Sequence, residues 1–173
     1  MTYYGVKSLA DSWRTVRKNT IQVAQDIPED QYGFRAADGT MTVAAMLAHM
    51  AVSPLWAEHL HFVERKHTVA MEDFGRYRTE ADAIAATLTG KAAIVEALTS
   101  RGEAFAAGLE AMSEADLAEV VAFAPPIPGP GKTRFEMLLG VKEHEMHHRG
   151  QLNLIERMLG IVPHLTRARQ QRA

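Results

Sequence analysis

The residues best suited to chemistry lie together near the C-terminal end of the chain, in Met137, Val141, His144, His148, Gln151, Ile155 and Met158. Their spacing alternates between four and three, so all seven share one face of a helix. Three polar residues thus sit in the middle of an apolar seam. A buried imidazole without a partner costs on the order of 1–3 kcal/mol, and two of them one turn apart should be recruited by something. Imidazoles at i and i+4 have Cβ atoms about 5–6 Å apart and can converge on one metal ion. Two ligands make a weak site, so a third must come from another helix. His49, mid-seam between Met46 and Trp56, is the best candidate. Three histidines suit zinc, nickel, copper or iron better than magnesium or calcium. A single seam histidine is more often a hydrogen-bonded core residue than a ligand; the i,i+4 pair and His49 together shift the balance to metal.

A rival pattern uses the same residues. His144-Glu145-Met146-His147-His148 spells H-E-x-x-H, the zincin peptidase signature, with Glu145 as general base. Its metzincin extension fails, because Gln151 stands where a glycine belongs and Leu154 where a third histidine belongs. Glu156, the only acid after His148, lies about 12 Å further up the same helix. No strand pattern offers a substrate edge. His147 lies about 80° off the seam and reads as a flank or surface residue. His59, His61 and His67 read as surface, and His164 falls in the C-terminal tail. Gln151, one turn above His148, is placed to orient a ligand ring or a bound water; satisfaction by backbone or solvent explains it equally well. Trp13 and Trp56 read as core.

Four helical segments must position these residues. The first runs from about residue 5 to 27, with Leu9, Trp13, Val16, Thr20, Val23 and Ile27 inward and Pro28 ending it. The second runs from about Thr42 to Val63, through Met46, His49, Ser53, Trp56 and Leu60, with a kink or restart at Ser53-Pro54 and Ser53 as cap. The third opens at Thr79 and runs to about Leu109, with Ile84, Leu88, Val95, Leu98, Phe105 and Leu109 on its stripe; Ser113 caps a short extra turn. Ala124 to Gly131, APPIPGPG, cannot be helix and is too proline-rich for a central strand. It reads as a long crossover connection. The fourth helix spans about Arg134 to Leu159, with a Thr133–Glu136 capping box and Gly160 as its terminating glycine. The expected fold is all-α, a four-helix bundle with a long crossover before the last helix, in one domain over residues 1–173.

Composition narrows the partners. The chain has 173 residues, 47% of them hydrophobic, and a formal net charge of −2. No global basic field recruits nucleic acid, so none is expected as a partner. The basic run from Arg167 to Arg172 reads as a solvated, frayed end. With no cysteine, thiol chemistry needs a thiol brought in by a substrate. The N-terminus does not read as a signal peptide, and no stretch is long and apolar enough for a bilayer; a cytoplasmic protein is expected.

The stretch HEMHHRGQLNLIERMLG resembles the last helix of the DinB/YfiT-like superfamily of metalloenzymes. The matching residues are His144, His148, Arg149, Gly150, Gln151 and Leu152, with Gly39, Met41, Thr42, Val43, Met46, Leu47 and His49 upstream. The resemblance covers about residues 8–160. Its ending differs: Pro163 stands alone after the final glycine, where the family is proline-rich. The resemblance implies an up-down-down-up bundle, a three-histidine zinc or nickel site at His49, His144 and His148, and a homodimer. It implies a damage-inducible lineage whose name is no evidence of DNA binding. Characterised relatives include S-transferases using bacillithiol or mycothiol and a mycothiol-dependent maleylpyruvate isomerase. The expected function is therefore a metal-dependent enzyme, a thiol S-transferase acting on a small-molecule substrate with a low-molecular-weight thiol. Glu145, Gln151 and Arg149 are candidate acid-base, ligand-orienting or anion-holding groups. The alternatives are a metal-dependent hydrolase using metal-bound hydroxide, or a non-catalytic metal-binding stress-response protein.

Overall fold

The computed structural model of the chain describes residues 4–172. It is predominantly helical: α1 (Val6–Asp26), α2 (Val43–Val52), α3 (Leu55–Ala57), α4 (Met71–Thr87), α5 (Gly90–Glu110), α6 (Glu114–Ala118), α7 (Arg134–Met158) and α8 (His164–Gln170). All six inward positions expected of α1 are buried. α1 packs chiefly on α5 and also on α7, while α2 lies on α5, α4 and α7. α1 and α5 meet closely where the Trp13 indole N–H donates to the Gly102 carbonyl at 2.8 Å. A Cβ on Gly102 would stand 2.6 Å from the Arg17 side chain, so only glycine fits that crossing.

α7 is capped as its sequence predicts. Thr133 Oγ1 accepts from the Glu136 N–H at 3.2 Å, and Glu136 Oε2 accepts from the Thr133 N–H at 2.8 Å. At the other end Gly160 adopts φ +77°, and the Ile161 N–H reaches back to the Glu156 carbonyl at 2.7 Å. α7 gives Leu138 and Val141 to one apolar cluster and Leu152 and Ile155 to another. Its two seam histidines fall between them in sequence.

Several expectations are corrected. The third segment is two helices. Thr79 lies inside α4, where its hydroxyl donates to the Gly75 carbonyl at 2.9 Å. α4 starts eight residues earlier because Asp73 Oδ2 accepts from the Ala70 N–H at 3.0 Å. It ends before Gly90, which takes φ +80°. The second segment does break at Ser53-Pro54, but Ser53 closes α2 instead of opening the next turn. α3 then runs into a π-helical turn, Glu58–Val63, which shifts the register and leaves Val63 71% exposed. Three short strands also form: β1 (Thr68–Val69), β2 (Val120–Phe123) and β3 (Gly131–Thr133). β1 pairs parallel with β2, Thr68 opposite Ala122; β2 pairs antiparallel with β3, Val121 opposite Lys132. The prolines of the expected crossover occupy the connection between β2 and β3, so neither strand has to accommodate one. The basic end is not frayed through Gln170: it forms α8, tied by an Arg167–Asp26 ion pair at 2.5 Å.

Candidate metal centre

α2 and α7 bring His49, His144 and His148 together. His144 Nε2 lies 3.1 Å from Nε2 of both His49 and His148. Candidate donor atoms of the three all fall within 4.8 Å of one another. Nitrogens held 2.0–2.1 Å from one zinc at tetrahedral angles stand about 3.3–3.4 Å apart, so the two spacings from His144 are close to what one ion requires. The donors are uniformly imidazole, a set suited to zinc, nickel, copper or iron. This group could hold a metal ion.

The surroundings prepare the rings for that. Burial, followed by the neighbouring His148, His49 and His147 rings, lowers the His144 pKa to about 4. Burial, followed by His148, also pushes His49 down. Both are neutral near pH 7, as a ligand must be. Gln151 Oε1 lies 2.8 Å from His148 Nδ1. The carbonyl accepts the Nδ1–H, which fixes the tautomer and turns the Nε2 lone pair toward His49 and His144. The Gln151 amide nitrogen donates to His147 Nε2 at 3.3 Å. His147 itself is exposed on the flank.

The structure places Glu145 and Arg149 elsewhere. Glu145 is 1% exposed, and its Oε2 accepts from Arg17 Nη2 at 2.9 Å. Arg17, equally buried, also donates to the Met50 and Leu98 carbonyls at 3.0 and 3.1 Å. Arg149 donates to the Val16 carbonyl at 3.2 Å. Neither Glu145 nor Arg149 lines the pocket of about 620 Å³ that opens beside His49 and His144. Glu145 pairs with Arg17 beneath the three histidines. Arg17 joins α1, α2, α5 and α7 there, and sequence reading missed it; its one signal is a charged residue flanking the apolar stripe beside Trp13 and Val16.

Other histidines divide. His67 is exposed, and His59 stacks on Tyr77 at 5.1 Å with an interplanar angle of 8°. His61 is not a surface residue: it is 2% exposed, with Nδ1 3.1 Å from Arg134 Nη1. The π-helical turn rotates it inward. His164 opens α8, and its Nε2 lies 3.0 Å from Asn19 Oδ1. The pocket also revealed lining residues that no motif marked. Phe74, Tyr77 and Arg78 lie on the part of α4 expected to be loop, and Gly140 lies on α7.

A mainly helical chain that gathers three histidines from two helices beside a pocket defines a class of candidate metal-binding helical proteins. Residues 12–152 match the family model described as the DinB superfamily, and the chain belongs to that superfamily. No curated protein matches the chain significantly. Among solved structures, it resembles a DinB-like protein from Bacillus subtilis with TM-score 0.66 and 22% identity, over 88% of this chain and 92% of that one. A DinB-like protein from Bacillus cereus has TM-score 0.67 and 18% identity, over 94% and 97%. The colibactin self-resistance protein ClbS, solved in complex with double-stranded DNA, has TM-score 0.63 and 16% identity, over 91% and 98%. That complex corrects the expectation that nucleic acid is excluded. A protein of this fold is seen with DNA, and a net charge of −2 is a whole-chain sum that says nothing of local surface. No helix among the described residues is long and apolar enough to cross a membrane.

Proposed function

We propose that this chain is a metal-dependent enzyme, a thiol S-transferase that holds zinc or nickel on His49, His144 and His148. The observation that carries this reading is the convergence of three imidazole nitrogens, two of them 3.1 Å from the third, beside an open pocket. Three protein donors are the number of a catalytic site and not of a closed structural one. A bound divalent ion would supply Lewis acidity and lower the pKa of a thiol or water presented to it. The chain's own residues do the rest. Gln151 holds the His148 ring in its ligating tautomer, the Arg17–Glu145 pair braces α7 against α1 beneath the site, and the aromatic side of the pocket excludes water. The chain has no cysteine, so the thiol is a low-molecular-weight one that enters with the small-molecule substrate.

The wider reading is one domain over residues 1–173, with α1, α2, α5 and α7 as the bundle helices running up-down-down-up, in a cytoplasmic homodimer. Met146, Leu154 and Met158, exposed along α7, support the dimer. Elemental analysis of protein purified without a histidine tag, followed by a turnover screen with thiols and electrophiles, tests the function. Roughly one zinc or nickel per chain and thiol-dependent turnover are expected. Turnover of esters without thiol would replace the transferase by a hydrolase. Tight metal binding without any turnover would replace it by a binding protein.

A further inference from the structure

α4 faces α7 across His49 and His144, and the space between them is the pocket of about 620 Å³. Its inside differs from its mouth. Trp56, Phe74 and Tyr77 form one wall, the first two with ring centroids 5.8 Å apart. Tyr77 is fully buried and backed by the parallel His59 ring, so this wall is fixed. Among the described residues, the only lysine, arginine or carboxylate side chains on the lining are Arg78 and Asp82, both exposed at the mouth and 3.6 Å from each other. Across from the aromatic wall lies Gly140. A Cβ built on it meets no atom within 4 Å. Glycine in mid-helix costs stability that alanine would recover, and packing does not require it here. The space beside it opens into the pocket.

We infer that this pocket binds the uncharged aromatic body of a small-molecule substrate, and that Gly140 sets how large that body can be. The volume lies within the range of small-molecule sites. A flat ring buries its faces against the aromatic wall. Away from the histidines, a charged body would lose its hydration with no unpaired opposite charge inside to offset the loss. The inference rests on the proposed function only in directing the reacting end of the substrate at the histidines; holding the aromatic body needs no metal.

The test is a fluorescence titration of the full chain, with and without zinc, using the uncharged probe N-phenyl-1-naphthylamine. Wild type, Gly140→Ala and Gly140→Leu are compared. Saturable binding is expected for wild type, weakened severalfold by alanine and at least tenfold by leucine. Zinc affinity by calorimetry should stay within threefold, and melting should not fall below wild type. In the zinc-free protein, naphthalene should displace the probe at least tenfold better than naphthalene-1,5-disulfonate. Equal probe affinity in Gly140→Leu, or equal competition by the disulfonate, overturns the inference. If the leucine variant fails to fold, Gly140→Ala decides, because alanine favours the helix: weakened binding supports the inference and unchanged binding ends it. If wild type takes no zinc but the probe and the Gly140 series behave as stated, the metal reading falls and this one stands.

Discussion

Two groups of buried or half-buried imidazole lie along α7, separated by roughly 15 Å of helix axis, and they are built in opposite ways. At the start of α7, His61 faces a cation. Arg134 Nη1 is 3.1 Å from its Nδ1, and the remaining guanidinium N–H groups reach the Lys66 carbonyl at 2.9 Å and Glu119 Oε2 at 2.9 Å. Burial, then the Arg134 charge, lowers the His61 pKa to about 3. That cluster occupies the Arg134 donors and leaves the ring a neutral acceptor at Nδ1, with Nε2 buried and unpartnered. In the middle of α7, His49, His144 and His148 face one another, with a pocket alongside. Neutral rings cannot all donate to each other, and His148 commits its Nδ1–H to Gln151. Lone pairs are left turned toward one space. Burial of a histidine is therefore a poor guide to its role; what it faces decides.

The largest expected effect breaks this comparison at the triad. Replacing His144 or His148 by alanine leaves two ligands, and zinc affinity measured by calorimetry should fall by more than about a hundredfold. His61→Ala should leave zinc affinity unchanged and lower the unfolding midpoint, since it strips a partner from buried Arg134. Loss of metal binding in His61→Ala, or its retention in His148→Ala, would reverse the roles assigned to the two groups.

Next in size is the support under the triad. Glu145→Ala leaves the Arg17 guanidinium buried without its carboxylate. Breaking one side of such a pair costs about 3–5 kcal/mol. Urea unfolding should show that loss while zinc affinity stays near wild type. A stable variant with weakened zinc binding would place Glu145 in the site after all. Gln151→Ala should do the reverse, since orienting partners of metal-bound histidines are worth about 10–100-fold in affinity. Its stability without metal should scarcely change, because Gln151 is exposed.

The same contrast explains what could be read from the sequence. The triad was legible because its signals are local and periodic. His144 and His148 are one turn apart on a regular helix, Thr133–Glu136 and Gly160 mark its ends, and His49 lies on an uninterrupted stretch of α2. His61 was not legible, because the π-helical turn at Glu58–Val63 breaks the period that assigns faces. The strands were hidden for another reason. They are two to four residues long, and their pairing joins Thr68 to Ala122, a contact no local pattern records. The aromatic wall of the pocket was lost with the start of α4, where Asp73 caps the helix ahead of Thr79. Arg17 carries no local signal, because a charged residue beside an apolar stripe usually points to solvent, and the Glu145 carboxylate that neutralises it in the interior lies 128 positions away.

The smallest expected effect concerns another buried polar group on α7, one without a hydrogen-bond partner. Glu156 is 0% exposed, and neither of its carboxylate oxygens has a hydrogen-bond partner. Burial, reinforced by Asp26, raises its pKa to about 7. The folded chain then binds a proton there that the unfolded chain has already released above about pH 4.5. The stability tied to that proton is fully present below the unfolded pKa and is lost as pH rises through about 7. Between pH 6.5 and 7.5 the loss is roughly 0.7 kcal/mol. Glu156→Gln keeps the shape without the charge, so its stability relative to wild type should grow across that interval. His61 acts with the opposite sign. Its folded pKa lies below the unfolded value near 6.5, so its contribution is present above that value and fades as pH falls toward 3. Unfolding midpoints of wild type and Glu156→Gln in metal-free buffer at a series of pH values separate the two groups. A difference that stays constant from pH 6 to 8 would mean that Glu156 is already ionised in the fold, and that Arg157 and Arg167 outweigh its burial.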